Sequence, residues 1–157
     1  MGHSKAEKAE SHERIVKVAS ERFREIGVDG IGVADLMKAA GLTHGAFYSQ
    51  FASKDDLMVQ ACTRAFDSLL GRWRELAQQA DADPLAMLTQ AYLSPAHRDR
   101  PGEGCVLAAL GAEASRQSPA LRRAIGDGVR EQVEFLAALQ PGRTRAAKRQ
   151  EIGRAHV

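Results

Sequence analysis

Two cysteines among 157 residues, Cys62 and Cys105, are too few for a disulfide framework and suit a reducing compartment. No apolar run approaches the ~18 residues of a membrane-spanning helix, and no secretory leader is recognisable. The expected address is therefore cytoplasmic, with no membrane partner. His3, His12, His44, His97 and His156 show no metal-ligand spacing, so no metal site is expected. There is no Walker loop, nucleophile elbow or paired acid-base constellation, which argues against an enzyme and against a cofactor. Charge of one sign is lacking too. Residues 1–60 hold 8 Lys and Arg against 9 Asp and Glu, and residues 61–157 hold 14 against 11, for a net +2. The basic footprint usual in a nucleic-acid-binding domain is missing, and any attraction to phosphates must be local. Lys5, Lys8, Lys38, Lys54 and the positive ends of helices are the candidates. What remains is an ordinary globular composition, 44% hydrophobic and 27% charged, with enough chain for a small domain plus a larger one.

The most informative segment is residues 33–51, VADLMKAAGLTHGAFYSQF. Val33, Leu36, Met37 and Ala40 recur at helical spacing, so one face of a first helix is apolar. Gly41 can take a positive φ and end it. Thr43 is a suitable N-cap for a second helix, whose apolar face is Ala46, Phe47 and Phe51. His44, Gly45, Tyr48, Ser49 and Gln50 are then expected to point outward. A helix this short is marginal alone, and its polar, aromatic outer face needs another use. This is the pattern of a helix-turn-helix, whose second helix enters the DNA major groove.

GLTHGAFYSQFASKDDL resembles the DNA-binding signature of the TetR family of bacterial transcriptional regulators. The ordered features are Gly41, Thr43, Phe47-Tyr48, Phe51 and Lys54-Asp55-Asp56-Leu57. The close resemblance covers residues 9–69, and a weaker one extends through the rest. It implies an all-α protein: an N-terminal three-helix helix-turn-helix domain, joined by a long helix to a helical-bundle ligand and dimerisation domain. It also implies a homodimeric, ligand- or thiol-responsive repressor on near-palindromic, double-stranded operator DNA, released by a small-molecule or electrophile inducer. The competing reading is a helical small-molecule or protein-binding module with weak or no DNA binding.

Thr43, His44, Gly45, Phe47, Tyr48, Gln50 and Lys54 are the candidate DNA-binding residues. Gln50 can pair bidentately with adenine, and His44 can donate to a phosphate or a base edge. Gly45 lets the helix approach the groove closely. The resemblance implies phosphate contacts for Tyr48 and Lys54, which position the protein without reading sequence. Core packing competes for Phe47, whose spacing with Leu42 and Phe51 is that of the buried face, and is preferred there.

Around this motif, a first helix is predicted over residues 11–26, with Ile15, Val18, Ala19, Phe23 and Ile26 on one face and polar, frayed residues before it. Ser53 can cap a long helix over residues 54–80, with Leu57, Ala61, Ala65, Leu69, Trp73 and Leu76 as its stripe. Further helices are predicted over residues 84–93, 105–116 and 119–139, about seven in all. Residues 94–104 read as a polar loop, and residues 105–116 as an apolar, buried helix.

Residues 70–150 form the expected ligand-binding and dimerisation domain. Trp73, Tyr92, Phe66, Met87 and Cys105 are its candidate ligand or sensor residues, with plain core as the alternative. Cys105 follows Gly104 at a helix start near His97, Arg98 and Arg100, surroundings that activate a thiol. HRDRPGEGCVLAALGAE loosely resembles a TetR subgroup that senses electrophiles or oxidants through a cysteine near this place. A buried, inert cysteine is the alternative reading, for Cys62 as well. Residues 151–157, EIGRAHV, match the translation of a sequencing adapter. They are read as an artefact on an incomplete second domain, which in the resembling family continues into two long helices of the dimer interface.

Overall fold

The computed structural model describes residues 5–80 and 83–140. Eight α-helices and one 3-10 turn account for the regular structure of these residues, and no strand occurs among them. The assignments made for residues 1–4, 141–150 and the carboxyl-terminal seven lie outside the described residues.

Helix α1 spans Lys5–Ile26, α2 Val33–Ala39, α3 His44–Phe47 and α4 Lys54–Gln79. The first begins two turns earlier than its apolar stripe suggests, because KAEKAESHER is rich in strong helix formers that need no core contact. Ile15, Val16, Ala19 and Phe23 of α1 share one core with Leu36 and Met37 of α2, Phe47, Phe51, and Leu57, Ala61 and Ala65 of α4. Burying each large apolar side chain in that core contributes about 1.5–3 kcal/mol. Ile26 departs from the predicted face and is 52% exposed, since the chain turns away at Gly27 directly after it.

Helix α4 runs on into the second domain, where α5 (Pro84–Tyr92), α6 (Pro95–Arg98), the 3-10 turn Pro101–Glu103, α7 (Val106–Ala114) and α8 (Pro119–Leu139) gather along it. Asp83, Ser94 and Ser118 each cap a helix that has proline in its first turn. The α4–α8 contact is close, because Gly128 presents no side chain where the Phe66 ring lies.

Two expectations need correction. Residues 94–104 are a compact pair of short helical turns rather than a loop. They are held by Ser94 capping His97 N at 3.2 Å and by guanidinium bonds to the Glu103 and Gly104 carbonyls. Helix α7 is not buried all round: Val106 and Leu110 face the core, while Ala108 and Ala112 are exposed. Its apolar composition is mostly alanine and glycine, whose exposure to water costs little.

Candidate nucleic-acid interface

The turn of the helix-turn-helix is built as its sequence requires. Gly41 has φ +70°, its N–H donates to the Lys38 carbonyl at 3.0 Å, and Leu42 N–H reaches back to the Met37 carbonyl at 2.9 Å. This Schellman arrangement satisfies the last carbonyls of α2. Thr43 occupies the N-cap position of α3 with extended backbone, but its hydroxyl makes no capping bond. Helix α3 is a single turn, stabilised instead by Phe47. That ring is 1% exposed and stacks on Phe51 at 5.5 Å. Phe47 therefore leaves the reading surface and becomes its anchor.

What α3 turns to solvent is Thr43, His44, Gly45 and Tyr48, with Tyr48 69% exposed and its ring against His44 at 5.7 Å. No Cβ added at Gly45 would meet anything, so the surface there is flat and open. Gln50 does not join this face as expected. It is half-buried, and its Oε1 is buried without a partner. The amide must rotate outward before it can meet an adenine edge.

Lys54 also has a structural task. Its ammonium donates to the Val28 carbonyl at 2.8 Å and fastens the α1–α2 link to the start of α4. Beside it, Ser53 Oγ accepts from Asp56 N–H at 3.0 Å while Asp56 Oδ2 accepts from Ala52 N–H at 3.1 Å, a reciprocal capping arrangement. Gln60 bridges Asp56 at 3.0 Å to His12 at 2.8 Å, and the His12 ring stacks on Phe51 at 4.6 Å. The one-turn helix α3 is thus braced from α1 and α4. Sequence reading missed His12; its place four residues before Val16 on the core side of α1 was the available signal.

Residues 15–61, which include this whole constellation except His12, match the family model for bacterial regulatory proteins of the tetR family. The transcriptional repressor NemR of Escherichia coli K12 is 27% identical over 138 residues, covering 85% of this chain and 69% of NemR. The transcriptional regulator AcrR of Shigella flexneri is 35% identical over 92 residues, 57% of this chain and 42% of AcrR. The crystal structure of reduced E. coli NemR superposes with TM-score 0.77 and 21% identity, covering 94% of this chain and 83% of that one. The chain is a TetR family regulator.

The second domain of this TetR family chain contains a cavity of about 280 Å³ between α4, α5, α7 and α8. Trp73, Tyr92 and Cys105 line it together with Leu107, Val129 and Gln132. Cys105 is 8% exposed at the N-cap position of α7. Burial raises the pKa of the Tyr92 phenol, and the neighbouring Cys105 thiol raises it further. A second cavity of about 210 Å³ shares Trp73 and Tyr92 but is edged by Arg72, His97, Arg100 and Glu103. Two of the five residues expected here fall elsewhere. Phe66 is a core side chain, 2% exposed and packed on Gly128, and Met87 lines neither cavity. Helical spacing places Phe66 on α4 but cannot tell which neighbour its ring meets. Cys62 is 2% exposed, and burial pushes its thiol up to about 12 against the lowering effect of Arg24.

Hydrogen bonds join the cavity wall to the first domain. Arg24 of α1 is 8% exposed and gives Nη1–H to the Gly104 carbonyl at 2.9 Å, directly before Cys105. Its other donors go to the Ser20 carbonyl and hydroxyl at 3.0 and 3.2 Å. Glu113 at the far end of α7 accepts from Val28 N–H at 3.3 Å, and the Val28 carbonyl is the one that Lys54 holds.

Proposed function

We propose that this chain is a ligand-responsive transcriptional repressor that binds a near-palindromic operator as a homodimer. The observation that carries the DNA-binding reading is the outer face of α3, with Tyr48 69% exposed above a buried Phe47 anchor. The Tyr48 ring touches His44 and Phe47 at its edges and leaves its hydroxyl end to solvent. It has the reach and the hydroxyl to meet a phosphate. Thr43, His44 and Gly45 would lie against the major groove, and Lys38, Lys5 and Lys8 would add phosphate contacts. Two such helices in a dimer would enter successive grooves about 34–36 Å apart. A protein with this task works in the cytoplasm, as a binding protein rather than an enzyme.

The cavity lined by Trp73, Tyr92 and Cys105 is the effector site in this reading. A small molecule bound there, or an electrophile added at Cys105, would press on the wall that Arg24 and Glu113 tie to the first domain. Occupancy must favour the non-binding state by a coupling of about 1–3 kcal/mol to act as an inducer.

The test is retardation of the DNA upstream of the coding sequence, measured against excess bulk DNA at several salt concentrations. Salt-dependent, sequence-preferring binding that Tyr48→Ala weakens on all sequences supports the reading. Absence of any salt-dependent affinity refutes it and favours a helical binding module without DNA, a reading consistent with the net −1 of residues 1–60.

A further inference from the structure

The larger cavity carries a chemical signature that no core requires. Gln132 of α8 is 6% exposed, makes no hydrogen bond, and leaves Nε2 buried without a partner. A buried polar group of this kind is rare in folded proteins and calls for a reason. The remaining described lining is apolar apart from the Tyr92 hydroxyl and the Cys105 thiol, which are neighbours. No charged side chain lines this cavity among the described residues, whereas the adjoining one is edged by Arg72, Arg100 and Glu103.

We propose that the 280 Å³ cavity binds a neutral, one- or two-ring molecule bearing a single carbonyl-type oxygen, held by the Gln132 amide. The size follows from volume: an apolar cavity of about 150 Å³ accepts benzene, so this one holds a bicyclic skeleton. Neutrality follows from the walls, because none of the side chains lining the cavity carries a charge to compensate one on a ligand. The oxygen follows from Gln132, whose orphan is a donor. Rotation about its terminal torsion, a soft one, can turn the N–H toward the cavity. Trp73 and Tyr92 supply flat faces for the rings.

This inference rests on the effector reading above, and its test separates the two. Trp73 is the single tryptophan and lines the site, so its fluorescence reports occupancy directly. The full chain is titrated with 1-tetralone, with tetralin (the same skeleton without the oxygen) and with 1-naphthoate, each confirmed by calorimetry. The ratio of tetralin to tetralone dissociation constants should be at least tenfold larger in the wild type than in Gln132→Met, which keeps the side-chain length and loses the amide. Naphthoate should bind more weakly than tetralone. An unchanged ratio, tighter naphthoate binding, or no saturable signal with tetralone overturns the proposal. Val133→Phe fills the same cavity and must abolish tetralone binding; retained binding places the ligand elsewhere and overturns it too. Release of operator DNA is read separately. Tetralone binding that depends on Gln132 without release defeats the effector reading alone, while release unaffected by Gln132→Met defeats the ligand assignment alone.

Discussion

Replacing Gly128 by alanine tests the packing of α8 on α4, the contact that joins the second domain to the long helix. A Cβ built there would lie 2.3 Å from Cγ and Cδ2 of Phe66 and 2.6 Å from Cδ1. Carbon atoms settle at about 3.5–4.0 Å, so an overlap of more than about 1 Å must be relieved. The colliding atoms are the base of a buried ring, close to the α4 backbone, and a rotamer change cannot remove them from the interface. Overpacking of this kind costs about 1–3 kcal/mol, and this overlap belongs at the upper end. Alanine in a helix interior recovers about 1 kcal/mol over glycine, leaving a net loss of about 2. For a chain of this size that corresponds to a fall in Tm of about 4–8 °C. Gly126, two residues away on the exposed side of the same helix, meets nothing within 4 Å of its added Cβ. Gly126→Ala should therefore gain up to about 1 kcal/mol from helix propensity alone. Urea unfolding followed by helical ellipticity measures both. Equal stabilisation by the two substitutions would refute the close α4–α8 contact, and a Phe66→Leu change that fails to relieve Gly128→Ala would locate the strain elsewhere.

Three other substitutions probe the joints of the molecule. Arg24→Met strips the Gly104 carbonyl of its donor and should cost about 1–3 kcal/mol in urea unfolding, with Arg24→Lys a poor rescue because one ammonium cannot span Ser20 and Gly104. Lys54→Met should lower stability by about 1 kcal/mol through the Val28 carbonyl; if it instead leaves stability intact and reduces the salt slope of DNA binding by about 0.9, the ammonium serves a phosphate. At Cys62 the folded thiol titrates near 12 against an ordinary 9.0, so the native state holds the extra proton between those values. Stability should fall as pH rises above about 9, and Cys62→Ala should flatten that limb of the urea midpoint profile. A steeper limb in the variant would contradict the burial argument.

The helix-turn-helix was legible from residues 33–51 because its determinants are local. Gly41 takes positive φ, Ser53 caps its neighbour three residues on, and the apolar spacing of α4 needs no knowledge of what covers it. The site within it was partly legible. Tyr48 and His44 face solvent as expected, but Gln50 turns inward and Lys54 is engaged at Val28. The partner that engages Lys54, the Val28 carbonyl, comes from outside the motif.

In the second domain α5, α7 and α8 were readable from prolines and periodicity while α6 was read as loop, and Trp73, Tyr92 and Cys105 do meet around one cavity. Phe66 and Met87 do not, and Gln132 was passed over, because helical spacing ranks faces without saying which element each face meets. Short-range steric and hydrogen-bonding rules act within about five residues, so composition and spacing alone settled the all-α class, the turn after α2 and the position of the long helices. Arg24 meets Gly104 across 80 residues and Val28 meets Glu113 across 85. Contacts at such separations exist only once helices pack. Packing therefore chose which side chains surround the cavity, which cations are engaged inside the protein, and how the cavity wall is tied to α1 and the link after it.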